Sequence, residues 1–190
     1  MLATTLILAT AQLAAAINFA DYDPQPGLPA EVKPFLEALV NAAEDGSVTT
    51  GYTDYFPADG MQTTESIHCV GAAGIQKCKD AFLVNGRELV HFPNKTFVAS
   101  NNETATTYES WGRMEQTYPA PISNCSQLYY QTQYTVLKTN KTVDALPNLT
   151  PEPQQQVYWY HDLVVSPFAL VSDIPCDSQK TAKRALPFKG

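Results

Sequence analysis

Apolar residues recur at helical spacing in the first half of the chain. The first such series is formed by Val32, Phe35, Leu36, Leu39, Val40 and Ala43. Residues three and four apart lie on one side of a helix, so this series predicts a helix with one apolar face, which Asp45-Gly46 ends. The segment Gly71 to Phe82 predicts a second helix, with Ile75, Cys78 and Phe82 on one side.

Two short segments lie between these helices. Thr49 to Phe56 is rich in aromatic residues and is followed by Pro57 and Asp59-Gly60, which indicates a helical turn that leads into a loop. Ser66 to Val70 predicts a short strand.

The second half of the chain alternates β-branched and aromatic residues with polar ones, as strands do. Four long strands are predicted, over Arg87 to Ser100, Thr104 to Tyr118, Gln127 to Lys138 and Gln155 to Val165. Their connections are a tight hairpin at Asn101-Asn102, a short link from Pro119 to Asn124, and a long hairpin loop from Thr139 to Gln154. The four strands therefore form an antiparallel succession.

This order of elements predicts the fold class. Helices followed by strands indicate an α+β domain, in which the N-terminal helices pack on one face of a curved, mostly antiparallel sheet. A lipocalin-like β-barrel is the alternative fold. The early amphipathic helix and the lack of any tryptophan before Trp111 argue against that barrel.

The N-terminal segment indicates secretion. Leu2 to Ala16 is apolar and uncharged and ends in three alanines, the small-residue pattern that a signal peptidase accepts. It is shorter than the roughly 18 to 20 apolar residues that span a bilayer, and no later segment is long enough to span one either. We therefore expect a signal peptide over 1–16, an extension over 17–29, one domain over 30–176, and a flexible basic tail over 177–190. Within the tail, Lys183-Arg184 is a dibasic pair of the kind that secretory proteases recognise.

Composition agrees with an extracellular glycoprotein. The net charge of -7 disfavours nucleic acids and anionic membranes as partners. Five Asn-x-Ser/Thr acceptors occur without an intervening proline, at Asn94, Asn102, Asn124, Asn140 and Asn148. Behind a signal sequence, we expect several of them to lie at the surface and to carry sugar.

Four cysteines in a secreted chain are expected to form disulfides, for which three connectivities exist. Pairing the last two strands around their long loop brings Cys125 close to the chain after Val165, which predicts a Cys125–Cys176 bridge. Cys69 and Cys78 are then left to pair with each other. There is no C-x-x-C motif, and we expect neither a metal site nor a cofactor.

Several of these features together carry a resemblance to a known family. They are the amphipathic first helix, the aromatic-rich segment from Tyr52 to Gly60, the Gly71 to Phe82 helix, and the strand that opens with Thr104-Ala-Thr-Thr-Tyr108. Over Val32 to Pro167 the chain resembles the NTF2-like superfamily, which includes SnoaL-type cyclases, ketosteroid isomerase and scytalone dehydratase, and within it a secreted, fungal branch. The resemblance implies a cone-shaped pocket between the concave sheet face and the helices, and dimerisation through the other sheet face.

The candidate catalytic residues follow from strand alternation and from the resemblance. Strand alternation puts four residues on one face of the last strand, namely Val157, Trp159, His161 and Leu163. If this face lines the cone, His161 is the candidate general base and Trp159 forms part of the pocket wall. Superfamily members commonly point side chains of the Tyr52, Asp54 and Tyr55 region into the cone. There a tyrosine can polarise a carbonyl while Asp54 or Asp59 takes a proton. A structural histidine, and core tyrosines beside a turn at Asp59-Gly60, are the alternatives.

Three further residues are candidates for ligand contact. Trp111 belongs to a group of strand aromatics that can form an exposed platform for carbohydrate or a partner protein. Arg113 can hold a carboxylate ligand or pair with Glu109 or Glu115, and the ion pair is the preferred reading. His91 lies in the first long predicted strand and is also a candidate ligand contact.

Function is the least determined property of the sequence. No G-x-S-x-G, H-E-x-x-H, G-x-G-x-x-G or P-loop motif is present. The leading hypothesis is a non-catalytic, effector-type secreted protein that binds a small apolar ligand or a host or cell-wall partner. The alternative is a cofactor-independent isomerase, dehydratase or cyclase that uses His161 with Tyr52, Tyr55 and Asp54.

Overall fold

The computed structural model describes residues 16–46, 51–64, 66–139, 155–166 and 172–177. Helix α1 spans Val32–Glu44, and its buried residues are the six apolar positions that the sequence pattern selected. Helix α2 spans Gly71–Phe82 and buries Ile75 and Cys78, together with Lys79. Both predicted helices are confirmed. The turn between them is a short 3-10 helix at Tyr52–Tyr55.

One seven-stranded sheet forms the other layer of the domain. Its strands are β1 (Asp23–Pro24), β2 (Met61–Thr64), β3 (Ile67–Val70), β4 (Glu88–Asn101), β5 (Ala105–Thr117), β6 (Cys125–Leu137) and β7 (Val157–Ser166). They lie in the order β1-β4-β5-β6-β7-β2-β3. The four long strands pair antiparallel as predicted, whereas β1 pairs with β4, and β2 with β7, in parallel. Sequence patterning missed β1, which has only two residues, and β2, in which three polar residues follow Met61 without alternation.

The sheet is curved and open. Its outermost strands in the described part of the chain, β1 and β3, do not pair with each other, so the predicted α+β fold is confirmed and the barrel alternative is wrong. Curvature brings buried aromatic rings of the concave face together with α1: Tyr134 stacks on Tyr160 at 5.2 Å and meets Phe35 edge-on at 6.2 Å. Gly112 of β5 makes room for the Tyr130 side chain and for the backbone of β4, since a Cβ there would lie 2.7 Å from the Tyr130 hydroxyl oxygen and closer still to the Phe92 carbonyl oxygen.

Both predicted cysteine pairings are confirmed. Cys69 and Cys78 join β3 to α2 with their Cα atoms 6.3 Å apart. Cys125 and Cys176 join the start of β6 to the segment after β7, with a Cα separation of 5.7 Å. The second bridge follows from the antiparallel β6–β7 pair, as the sequence argument required.

The segment before α1 is part of the folded domain. Ile17 is buried and forms a parallel β-bridge with His91. The backbone amide of His91 donates a hydrogen bond to the Ala16 carbonyl at 2.8 Å. Further along the chain, Asp23–Pro24 pairs with β4. The leader 1–15, most of the Thr139 to Gln154 loop and the tail after Asp177, including Lys183-Arg184, lie outside the described residues. Among the described helices, neither is long and apolar enough to cross a membrane.

Candidate functional site

A cavity of about 340 Å³, which we call the cone cavity, lies between the helices and the concave face of the sheet. Its apolar wall is formed by residues of both helices and of the four long strands, among them Ala43, Phe82, Leu89, Met114, Leu128 and Val165. Its polar groups come from the end of α1, from the 3-10 helix, from α2, from Arg87 and from strands β2, β4, β6 and β7. The cavity thus combines a large apolar surface with a few converging polar side chains, as ligand sites do.

Glu44 is the first of two carboxyl groups in this cavity. It is the last residue of α1 and continues the i, i+4 series of the buried helix face into the cavity. Its side chain is only 10% exposed, Oε1 lies 4.0 Å from His91 Nε2, and Oε2 has no hydrogen-bond partner among the described residues. Burial raises the pKa of Glu44 to about 8, against the opposing effect of the Arg87 charge. At neutral pH Glu44 is therefore mainly protonated and can donate a hydrogen bond.

Asp162 is the second carboxyl group and lies on β7. It accepts hydrogen bonds from the Thr64 hydroxyl at 2.8 Å and from the Thr132 hydroxyl. Burial raises the pKa of Asp162 to about 6, and the two hydroxyl donors limit that rise because they stabilise the ionised form. At neutral pH Asp162 is mainly ionised, so one cavity holds a protonated and an ionised carboxyl group.

Three tyrosine hydroxyls line the same cavity. Tyr52 donates to Gln62 Oε1 at 3.1 Å, and Tyr130 and Tyr160 come from β6 and β7. Burial raises the pKa of all three, so their hydroxyl groups stay protonated and act as neutral donors or acceptors.

His91 lies on β4 and also lines the cavity. Burial lowers its pKa to about 4, so the imidazole is neutral at physiological pH. Its ring meets Tyr130 at 5.3 Å, and its Nδ1 has no hydrogen-bond partner among the described residues. The structure thus places His91 where a ligand would lie, and ligand contact stays a prediction.

The predicted orientation of β7 is wrong. Tyr160 and Asp162 line the cavity, whereas His161 and Trp159 do not. The rings of Trp159 and His161 stack on each other with their centroids 4.3 Å apart. The indole Nε1 of Trp159 donates a hydrogen bond to the Thr63 hydroxyl at 3.0 Å. The reason is a register shift in the β6–β7 pair, where Thr135 opposes Trp159 but Val136 opposes Val157. This bulge adds one residue, Tyr158, so Val157 and Trp159 do not share a face.

The remaining predicted site residues are divided between core, surface and outer face. Asp54 is exposed and Tyr55 packs in the core, and neither lines the cavity, so only Tyr52 of this group reaches it. Trp111 and Arg113 lie on the outer face of the sheet, in a separate cleft. Arg113 pairs with Glu115 at 3.0 Å, as the sequence argument preferred.

Sequence reasoning missed Glu44 as a cavity residue and placed Asp162 on the strand face opposite His161. The signal for Glu44 was present, because it extends the spacing of Val32, Leu36 and Val40 by one further turn. In the described part of the chain, one group of three potential metal ligands occurs, Glu115 with Cys125 and Cys176, but both sulfurs belong to a disulfide.

Solved structures with a similar architecture identify the fold of this chain. No family model and no curated protein matches the sequence. ActVI-ORFA from Streptomyces coelicolor superposes with a TM-score of 0.54 at 15% identity, covering 70% of this chain and 94% of that one. Aln2 from a Streptomyces species gives a TM-score of 0.52 at 13% identity, covering 85% and 98%. The fold is the NTF2-like cone.

A third neighbour shows how widely the NTF2-like cone is used. The beta subunit of benzoate 1,2-dioxygenase from Burkholderia mallei superposes with a TM-score of 0.54 at 12% identity, covering 76% of this chain and 94% of that one. Identities this low establish the shared fold alone. Function therefore has to be argued from the residues of the cone cavity.

Proposed function

We propose that this protein binds a small, uncharged, mainly apolar molecule in the cone cavity. The observation that carries the proposal is the pairing of an apolar wall with the protonated Glu44, whose Oε2 has no partner among the described residues. A buried polar group without a partner is unfavourable, so a ligand atom that supplies the missing hydrogen bond is stabilised there.

The polar groups of the cavity define the ligand further. Glu44 presents a donor to a carbonyl or hydroxyl oxygen, while the ionised Asp162 presents an acceptor to a hydroxyl hydrogen. Two cations, Lys79 and Arg87, also line the cavity, but each already donates a hydrogen bond to a backbone carbonyl, of Ala42 and Phe82 respectively. An anionic ligand would in addition meet the charge of Asp162 away from water, which is unfavourable. A ring compound with hydroxyl or carbonyl groups matches both the wall and the polar groups.

A direct binding measurement tests this proposal. The fluorescent neutral probe 2-naphthol should bind the wild-type protein and should bind at most weakly to Leu128→Trp, whose larger ring fills the cavity. Trp111→Ala, on the outer face, is the matched control and should bind as the wild type does. Equal binding by Leu128→Trp, folded as judged by its thermal unfolding, would refute the cavity as the site; Met114→Phe gives a milder second test.

A second candidate function is cofactor-independent acid–base catalysis in the same cavity. It is favoured by the pKa values of about 6 for Asp162 and about 8 for Glu44, which provide a base and an acid together between these pH values. Asp162 would take a proton from a carbon next to a carbonyl group, and Glu44 would donate a hydrogen bond or proton to the carbonyl oxygen. Isomerisation, dehydration and cyclisation all use such a step.

Hydrogen exchange at the substrate separates binding from catalysis. If the cavity is catalytic, a bound cyclic ketone should exchange its α-hydrogens in D₂O, with a rate that rises near pH 6 and falls near pH 8. Asp162→Asn should abolish the exchange while retaining 2-naphthol binding. Exchange that persists in Asp162→Asn would remove Asp162 as the base.

Secretion and glycosylation are part of the same proposal. Two disulfides and the exposed acceptor residues Asn94 and Asn102 are consistent with a secreted glycoprotein of the fungal effector type, acting on a host or cell-wall partner. Expression of the full chain in a fungal host tests this. The protein should appear in the medium, and deglycosylation should lower its intact mass.

A further inference from the structure

The outer face of the sheet carries a second cleft, of about 290 Å³, which we call the aromatic cleft. It is lined by Asp21, Phe92, Asn94, Trp111, Arg113 and Tyr129, with smaller contributions from their neighbours. Trp111 is 44% exposed and Tyr129 is 49% exposed. Large aromatic side chains grouped at the surface mark a binding surface more often than isolated exposed residues do.

Asn94 reaches this cleft because β4 contains a bulge. Pro93 pairs with Gly112 and Thr96 pairs with Ser110, so Asn94 and Lys95 together oppose the single residue Trp111. Such a bulge leaves an extra residue outside the regular ladder, and Asn94 is exposed there. Asn94 therefore lies beside Trp111 at the edge of the cleft.

Asn94 is also an acceptor for N-glycosylation, in the sequence Asn94-Lys95-Thr96. We propose that Asn94 carries an N-linked glycan whose first sugars lie in the aromatic cleft, against Trp111 and Tyr129. This inference rests on the proposed secretion, because the sugar donor and its transferase belong to the secretory pathway.

Attachment of the glycan forms one bond and breaks another. The side-chain amide nitrogen of Asn94 forms a bond to the anomeric carbon of a lipid-diphosphate-linked oligosaccharide. The bond from that carbon to the diphosphate oxygen breaks, the lipid diphosphate leaves with the bonding electrons, and the nitrogen loses one proton.

The cleft matches the chemistry of a sugar. A pyranose ring has an apolar C–H face, which suits an aromatic ring, and a rim of hydroxyl groups, which suits charged neighbours such as Asp21, Lys95 and Arg113. Trp111 is held in place, because its ring meets Phe97 edge-on at 5.9 Å and its Nε1 donates to Glu109. A preformed platform loses little side-chain freedom when a sugar packs on it.

Covalent attachment to Asn94 favours contact between the sugar and the aromatic cleft. A sugar that begins at Asn94 is already beside Trp111, so its local concentration in the cleft is high without any need for strong intrinsic affinity. The same glycan would obstruct a second copy of the chain on this face. The inference therefore opposes the sheet-to-sheet dimer that the family resemblance implied.

Footprinting of the secreted protein tests the inference. The full chain is produced in a fungal host as wild type, as Asn94→Gln, and as Asn124→Gln, which removes a different acceptor and serves as the matched control. Glycopeptide mass spectrometry measures occupancy, and hydroxyl-radical oxidation measures the accessibility of Trp111 and Tyr129. Enzymatic removal of the glycans from the folded wild type provides a second route if a variant folds poorly.

The expected result is an occupied Asn94 and oxidation of Trp111 that is several-fold faster in Asn94→Gln and in the deglycosylated protein. Asn124→Gln should oxidise as the wild type does. The inference is overturned if Asn94 is unmodified while other acceptors carry sugar, or if Trp111 oxidises equally fast with and without the glycan. It is also overturned if Asn94→Gln forms a dimer in which Trp111 remains protected from oxidation. Absence of the protein from the medium would overturn secretion as well, while 2-naphthol binding in the cone cavity would be unaffected.

Discussion

The concave and outer faces of the same strands use similar residue types in different ways. On the concave face, Glu44 and Asp162 are buried, and burial raises the pKa of each until one is protonated and the other ionised near neutrality. On the outer face, Arg113 is paired with Asp21 and Asp177 at distances of 3.4 and 3.8 Å, and both acids are about half exposed. Water screens these pairs and keeps them weak. Arg113 also pairs with Glu115 at 3.0 Å, and that side chain is only 11% exposed. Burial therefore distinguishes the two acids of the cavity from Asp21 and Asp177, but not from every acid of the outer face.

The largest expected contrast between the faces is in packing. Phe35→Ala leaves a void where α1 meets Tyr134 and should lower the free energy of unfolding by about 3–5 kcal/mol. Trp111→Ala removes a larger ring, but a half-exposed one, and should cost less than about 2 kcal/mol. Urea unfolding of both variants measures the difference, and equal losses would contradict the assignment of the concave face as the core.

The next contrast is the pH dependence of stability that Glu44 contributes. Its pKa is raised from an ordinary value of 4.5 to about 8, so the folded protein retains a proton that the unfolded chain loses between these values. The stability from this proton is fully present below about pH 4.5 and is lost as pH rises through 8. Between pH 5 and 8 the loss is at most about 4 kcal/mol, at about 1.36 kcal/mol per pH unit.

Glu44→Gln cannot ionise and should remove most of this loss. Urea unfolding at pH 5 and pH 8 measures it, and the variant should gain stability relative to the wild type as pH rises. Met114→Leu changes the cavity wall without changing charge, so its curve should run parallel to the wild type. A Glu44→Gln curve that also ran parallel would show that Glu44 ionises normally.

Hydroxyl groups of tyrosines give a smaller contrast. Tyr52→Phe leaves the buried Gln62 Oε1 without its donor and should cost about 1–3 kcal/mol. Tyr129→Phe removes a hydroxyl from a half-exposed side chain on the outer face, where it accepts a long hydrogen bond of 3.5 Å from Gln127 Nε2, and should cost less than about 1 kcal/mol. Thermal unfolding of the pair checks this, and similar costs would place Tyr52 in contact with solvent.

The smallest expected effect comes from the ion pairs of Arg113. Asp21→Asn removes one partially exposed partner and should cost at most about 1 kcal/mol in low salt, with no cost in high salt. Urea unfolding at two ionic strengths measures it. A salt-independent cost would mean that the pair is shielded from water, and the contrast between the faces would then be weaker.

Local patterns were sufficient for much of the fold. The six apolar positions of α1 are the ones it buries, because helical spacing alone decides which residues share a face. The four long strands follow from alternation and turn residues, and their antiparallel order was enough to pair Cys125 with Cys176. These predictions depend on neighbours in sequence or on a single hairpin, where sequence carries the information.

The site depended on tertiary structure. The bulge at Tyr158 depends on how β7 pairs with β6, and it put Asp162 in the cavity and His161 outside it. Glu44 and Asp162 are far apart in the sequence, and only the packing of α1 against the curved sheet brings both carboxyl groups into one cavity. By itself, the sequence determined the elements and the bridges, because these follow from local periodicity. The face of each strand and the ionisation of each buried acid were decided by tertiary structure, because they depend on register and on burial.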